Sequence, residues 1–253
     1  MNLSELETYL SQTLQHGAWA SRDKSMNGLQ VGRGETEVRR VAFAVDASLQ
    51  SFERAVSVGA QLLVVHHGLF WGSPLAVTGD HRRRLKYLFD HDLALWASHL
   101  PLDAHPTFGN NAGMAQALGL TDVVPFGEYR GAKIGFKGVL PSPRRLDQIC
   151  ETLFHGRENV LQVLPFGKAE VSTVGLVSGG APQEVADAIA ENLDVYITGD
   201  ADHTIYHQAL EAGINVISGG HYATETWGVR LLAEHLQKEK GVPTVFLDLP
   251  TGL

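Results

Sequence analysis

The stretch that most constrains this chain is Leu62-Leu63-Val64-Val65-His66-His67-Gly68. A continuous apolar run of this length, closed by a glycine, reads as a strand covered on both faces, as in a parallel sheet flanked by helices. Neighbouring side chains on a regular strand point to opposite faces. Two adjacent imidazoles therefore serve one site only if the chain turns where they stand, and Gly68 permits that turn. In open α/β sheets ligands gather beyond the carboxyl ends of the strands. His66 and His67 are thus the first candidates for chemistry.

The flanking chain supplies the rest of such a sheet. Ser4 and Glu7 form a capping-box pattern, and Leu6, Leu10 and Leu14 mark an amphipathic opening helix. A strand over 41–45 ends at Asp46, Ser48 caps a helix running to Gly59, and Asp80 opens another through Asp90. Residues 93–98 read as a third buried strand. This alternation is the βαβ rhythm of a parallel sheet.

Residues 120–135, with a proline and clustered glycines, read as a domain boundary. Beyond them the pattern predicts a strand over 134–139, a helix from Ser142 with Pro143 at its first position, and short strands over 159–163 and 171–177. Pro182 opens a helix to Asn192. Alternation resumes with a strand at 194–198, a helix at 203–212, a strand at 214–217, a long helix over 224–238 and a last strand at 243–248. The expected architecture is α/β, with a largely parallel sheet and helices on both faces. Residues 1–126 plus 194–253 form the main domain, and 127–193 a smaller inserted α/β domain. Two sequential domains are the alternative. Val174–Ala190 and Val216–Leu232 both read strand, Ser-Gly-Gly, helix, through duplication or through ordinary turn chemistry.

Composition narrows the function classes. A net charge of −8 argues against a nucleic-acid polymer as the main partner, and Arg82-Arg83-Arg84 reads as a solvated helix face. The single Cys150 excludes an internal disulfide and shares an apolar helix face with Leu146, Ile149 and Leu153. No apolar run approaches the roughly 18 residues of a membrane span, and the N-terminus lacks the basic and apolar blocks of a signal peptide. A cytoplasmic protein is expected.

Polar groups collect where predicted strands end: Asp46; His66 and His67; His99, Asp103 and His105; Asp200, Asp202 and His203; His221 and Glu225. Parallel strands would set these ends on one sheet edge, around a common pocket. His221 and Glu225, four apart, project from one face if the first turn there is helical; if Thr224 caps instead, His221 sits in the loop. Imidazole and carboxylate suit zinc, iron, manganese, cobalt or nickel. His66, His67, Asp103, His221 and Glu225 exceed what one open catalytic ion takes, which favours two divalent ions sharing Glu225, with a water between them. Taken singly, the histidine pair is equally a turn, Asp103 a loop former, and His221 and Glu225 first-turn residues; their convergence carries the metal reading. His99, His105, Asp200 and His203 are candidates to orient ligands or move protons. Ser178-Gly-Gly could receive an anion on free amides or be a plain tight turn.

At these residues the sequence resembles the YbgI group of the Nif-three-like proteins, whose members are often called GTP cyclohydrolase 1 type 2 homologues. The resemblance rests on Val65-His-His-Gly-Leu-Phe-Trp71, His99-Leu-Pro-Leu-Asp-Ala-His105 with Gly109-Asn-Asn, Asn27-Gly-Leu-Gln-Val, Ile197-Thr-Gly-Asp200 and Ser218-Gly-Gly-His-Tyr-Ala-Thr-Glu225. It implies a dinuclear centre on His66, His67, Asp103, His221 and Glu225, the last shared between the ions. It also implies two interlinked α/β domains and a toroidal homohexamer built from dimers, with metal sites facing an internal cavity. The leading expectation is a metal-dependent hydrolase acting on a small nucleotide-like substrate, with Glu225, Asp200, His99 and His105 as the catalytic candidates. The rivals are a metal-handling protein without turnover and a structural or regulatory ring.

Overall fold

The unbroken apolar run at 62–65 is fully buried, as a strand covered on both faces requires. The computed structural model describes all 253 residues. In chain order the strands are β1 (Gly28–Val31), β2 (Val41–Asp46), β3 (Leu62–His67), β4 (Ala94–Ala97), β5 (Thr121–Tyr129), β6 (Ala132–Arg144), β7 (Gln162–Pro165), β8 (Val171–Val177), β9 (Val195–Thr198), β10 (Asn215–Ser218) and β11 (Thr244–Phe246). The helices are α1 (Leu3–Thr13), α2 (Leu49–Ser57), α3 (Gly79–Asp90), α4 (Leu100–Asp103), α5 (Asn110–Leu118), α6 (Leu146–Phe154), α7 (Val185–Ala190), α8 (Tyr206–Ala212) and α9 (His221–Lys240). The chain folds as two compact units, Met1–Leu102 with Val229–Leu249 and Asp103–Gly228 with Pro250–Leu253.

The first unit holds a five-stranded sheet in the order β1-β4-β3-β2-β11. All its pairings are parallel except that of β1 with β4. The register sets Asp46 opposite His67 and Val65 opposite Ala97, so β2, β3 and β4 end together. Phe52 and Ala55 of α2 and Leu85 and Leu88 of α3 bury against Ala42, Ala44, Leu63, Val65 and Leu95; each buried Phe or Leu contributes roughly 1.5–3 kcal/mol of transfer free energy. Ser48 caps α2 by accepting from Ser51 N, while Ser51 Oγ accepts from Ser48 N.

The second unit holds a six-stranded sheet, β5-β6-β8-β9-β10-β7. Its central strands β8, β9 and β10 are parallel, and β5, β6 and β7 join antiparallel. Ile149, Cys150 and Leu153 of α6 pack with Val174, Leu176, Val195, Ile197 and Ile217.

Several expectations need correcting. Strand 195–198 pairs with β8, and strand 215–218 with β9 and β7, rather than with the β2–β4 sheet, so the division falls at 102/103 and 228/229 instead of near 126 and 193. A βα repeat looks the same whichever sheet it joins, because pairing partners are set by long-range packing. The supposed boundary at 120–135 is a hairpin: β5 and β6 turn through Arg130 and Gly131, both at positive φ (50° and 75°). Pro125 and Gly127 are tolerated because β5 is an edge strand. Pro141 and Pro143 hold the residues before them extended, so β6 runs to Arg144 and the helix starts at Leu146 rather than Ser142. "Largely parallel" describes the first sheet; the second is mixed.

Behind β4, His16 stacks on Trp96 with ring centroids 5.0 Å apart and places Nε2 3.0 Å from Ser98 Oγ. Burial drives its pKa down to about 4, against the pull of the Asp23 charge. A histidine with a depressed folded pKa contributes stability that is present above pH 6.5 and lost as pH falls through about 4. His16→Gln should therefore flatten the stability profile between those limits, by at most about 3 kcal/mol. Urea melts of both proteins across the window check this; parallel profiles would exclude His16 as the source.

Candidate metal centre

In the first unit three imidazoles converge at the carboxyl edge of the sheet. His66, fully buried, lies with Nδ1 2.9 Å from the Ser98 carbonyl. His67 Nδ1 meets Asp46 Oδ1 at 2.8 Å, the partner the strand register sets opposite it. His99, just beyond β4, sets Nδ1 3.0 Å from Asp23 Oδ1. In each case the Nδ1–H donates to an oxygen acceptor, which fixes the orientation of the ring. The ligand atoms of all three lie within 4.8 Å of one another. Asp23 is nearly inaccessible, with its side chain 2% exposed. Burial pushes its carboxyl up, but hydrogen bonds from His99, Asn27 and Ser25 and the His99 charge outweigh this, and its pKa is lowered. A Cβ at Gly68 would stand 2.2 Å from Gln30 Nε2 and displace the Gln30 amide, whose Oε1 accepts from Leu69 N.

The second unit builds a carboxylate cluster at the ends of β8, β9 and β10. The first turn of α9 is helical from His221, so His221 and Glu225 share a face, with His221 Nε2 3.2 Å from Glu225 Oε1. His221 Nδ1 is held by Asp200 Oδ1 at 2.9 Å. Asp103 Oδ1 accepts from Ser178 Oγ at 2.8 Å and Asn110 Nδ2 at 2.9 Å, and carboxylate oxygens of Asp103 and Glu225 lie within 4.8 Å. Hydrogen bonding to Glu225 is the main cause that raises His221 to about 9; burial opposes it, and the charges of Glu225 and Asp200 add to it. Stability from this pair is therefore present below about pH 6.5 and lost as pH climbs through about 9.

The sequence-derived candidates thus stand as His66, His67 and His99 in one cluster, and Asp103, Asp200, His221 and Glu225 in the other. The strand ends lie on two sheets rather than the single edge expected. His105 joins neither cluster; its Nδ1 accepts from the amides of Thr107 and Phe108. His203 opens a short 3-10 turn ahead of α8. Ser178-Gly-Gly is not an anion cradle, because Ser178 N donates to Asn111 Oδ1 and Gly179 N to Thr224 Oγ1. Asn110, Asn111 and Asp23 also belong to the site, through Asp103, Ser178 and His99. Gly109-Asn-Asn was the available signal for the asparagines; Asp23, in a featureless loop, offered none.

The Duf34/NIF3 (NGG1p interacting factor 3) family model matches residues 1–251. The chain belongs to this family. Among Duf34/NIF3-related proteins it is 43% identical over 286 residues to the "GTP cyclohydrolase 1 type 2 homolog" of Treponema pallidum (strain Nichols), with all of both chains covered. The solved structure of TTHA1606 from Thermus thermophilus superposes with TM-score 0.89 at 41% identity, covering 100% of each chain. That of the protein ybgI, described as of unknown function, superposes with TM-score 0.91 at 33% identity, again covering 100% of each. No helix of the chain is long and apolar enough to cross a membrane.

Gly179 sits at φ +67°, and a Cβ there would stand 2.2 Å from Glu225 Oε1 and 3.2 Å from His221 Nε2. Gly59, at φ +74°, has nothing within 4 Å. Alanine at either position should lower stability by about 1–2 kcal/mol through the left-handed backbone. Only Gly179→Ala should also displace the Glu225 carboxylate and bring the His221 pKa from about 9 toward its ordinary 6.5. Urea melts and an NMR titration of the ion-free variants read both effects; a His221 pKa unmoved in Gly179→Ala defeats the crowding argument.

Proposed function

We propose that this Duf34/NIF3 protein is a dinuclear metal-dependent hydrolase for a small, nucleotide-like polar substrate. His66, His67, Asp103, His221 and Glu225 would hold two divalent ions, with Glu225 shared. The observation that carries this reading is the treatment of the imidazoles. His66, His67 and His221 each have Nδ1 tied to an oxygen, on Ser98, Asp46 and Asp200, the arrangement that orients histidine toward a metal. The donor set fits as well: in the ion-free protein a proton on His221 serves the electrostatic demand of Glu225 and Asp200 that a cation would meet.

When bound, such a pair of ions supplies activated water and polarises a substrate oxygen. The chain's own contribution is orientation and proton handling. Asp46 and Asp200 fix the tautomers of His67 and His221. His99, anchored on the buried Asp23, presents Nε2 beside His66 and His67 as a group able to take or give a proton. The choice of a nucleotide-like substrate follows the name carried by the Treponema relative.

Elemental analysis of carefully prepared protein should find two divalent ions per chain. Glu225→Gln should lower ion affinity at least tenfold and abolish turnover while the fold persists. A screen of nucleotides and other phosphoesters with protein loaded separately with manganese, iron, zinc, cobalt or nickel supplies the activity reading. Wild-type protein without ions, or Glu225→Gln with undiminished ion content, would overturn the assignment. Rapid ion exchange without turnover on any substrate class would replace it with a metal-handling role.

A further inference from the structure

We propose that Trp71 is the stacking platform for a planar heteroaromatic ring of the substrate, an inference that rests on the hydrolase reading above and names the substrate's chemical class. Indole Nε1 donates to the Gly68 carbonyl at 3.0 Å, which ties the ring to the turn that ends β3. The indole centroid lies 5.8 Å from that of His67 and 5.0 Å from that of His99. It therefore borders the imidazole cluster directly. Neither imidazole uses its stacking capacity, for His67 is tilted by 43° and His99 meets it at 77°. Trp71 nevertheless remains 40% exposed.

Other roles for this residue fit less well. An indole N–H only donates, so Trp71 is not a metal ligand. Its exposure contrasts with Trp96 of β4, which is fully buried. Met26, whose amide donates at 2.9 Å to the carbonyl of Phe70, the residue preceding Trp71, is 50% exposed as well. A large aromatic surface held rigid and left uncovered next to convergent polar nitrogens is the make-up of a small-molecule site. Such a face takes a flat π-system in preference to an aliphatic or sugar group, because stacking adds to the burial that any apolar ligand would gain. The heteroatoms on the edge of such a ring would lie within reach of His99, the imidazole of the cluster not assigned to an ion.

The test compares guanosine 5′-monophosphate with ribose 5-phosphate, which carries a hydroxyl in place of the base, on metal-loaded protein by calorimetry. The nucleotide should bind about tenfold more tightly. Trp71→Leu should erase that advantage and leave ribose 5-phosphate affinity unchanged; Trp71→Phe should keep part of it. Subtracting the Trp71→Phe emission isolates the Trp71 signal, which the nucleotide should quench and ribose 5-phosphate should not. Equal affinities, an advantage retained in Trp71→Leu, or an unquenched Trp71 signal at saturation overturns the proposal, and the fluorescence arm decides even if the leucine variant misfolds. Emission already shielded from iodide without any probe would point to a second copy covering the indole, and would also overturn it. Ion content measured in the same samples separates the two claims: absent ions refute the hydrolase reading, whereas bound ions with no ring preference refute only the platform.

Discussion

Nitrogens tied back to oxygen are the constraint on which the rest of this protein depends. A histidine can coordinate through either ring nitrogen, and a free imidazole exchanges its tautomers rapidly. Here the Nδ1 atoms of His66, His67, His99 and His221 are bound to Ser98 O, Asp46, Asp23 and Asp200. Each ring is thereby oriented. The acceptors are themselves anchored: Asp23 takes hydrogen bonds from Ser25 N, Asn27 Nδ2 and Leu100 N, and the Ser98 hydroxyl meets His16. Polar groups satisfied in this way are tolerated in a buried setting, where an unpaired one costs about 1–3 kcal/mol.

The fold supplies these acceptors through parallel strands that end together. In the first unit β2, β3 and β4 finish in register, which brings Asp46, the histidine pair and His99 to one edge. In the second, β8, β9 and β10 do the same for Ser178, Asp200 and His221. Glycines at the second set of ends are spatial requirements. Side chains at Gly179 and Gly199 would collide with Glu225 and Thr224. The repeated Ser-Gly-Gly turns therefore serve close packing of strand ends against the start of α9, with their amides engaged by Thr224, Thr198 and Gly199.

The two clusters differ in character, and the difference is useful for the proposed chemistry. The first offers imidazoles at the ends of parallel strands. The second is dominated by carboxylates, with Glu225 almost fully covered and its negative charge felt by His221. Nitrogen donors favour the later first-row metals and carboxylates tolerate harder ions, so the two donor sets suit several divalent metals. Local geometry and supply would then select among them.

The amino-acid sequence by itself determined the local elements and the chemical types of the site. The apolar run to Val65, the leucine spacing of α1, the Ser48 cap and the four-residue separation of His221 and Glu225 are short-range features, governed by residues a few positions apart. Tertiary structure alone decided which sheet β9 and β10 join, and that residues 121–144 form a hairpin rather than a boundary. It also decided that Asp23, some 76 positions from His99, is the acceptor that orients it. Strand partners and hydrogen-bond acceptors of this kind are chosen by contacts between distant segments, whose free energy depends on the whole packed arrangement and leaves no periodic trace along the chain.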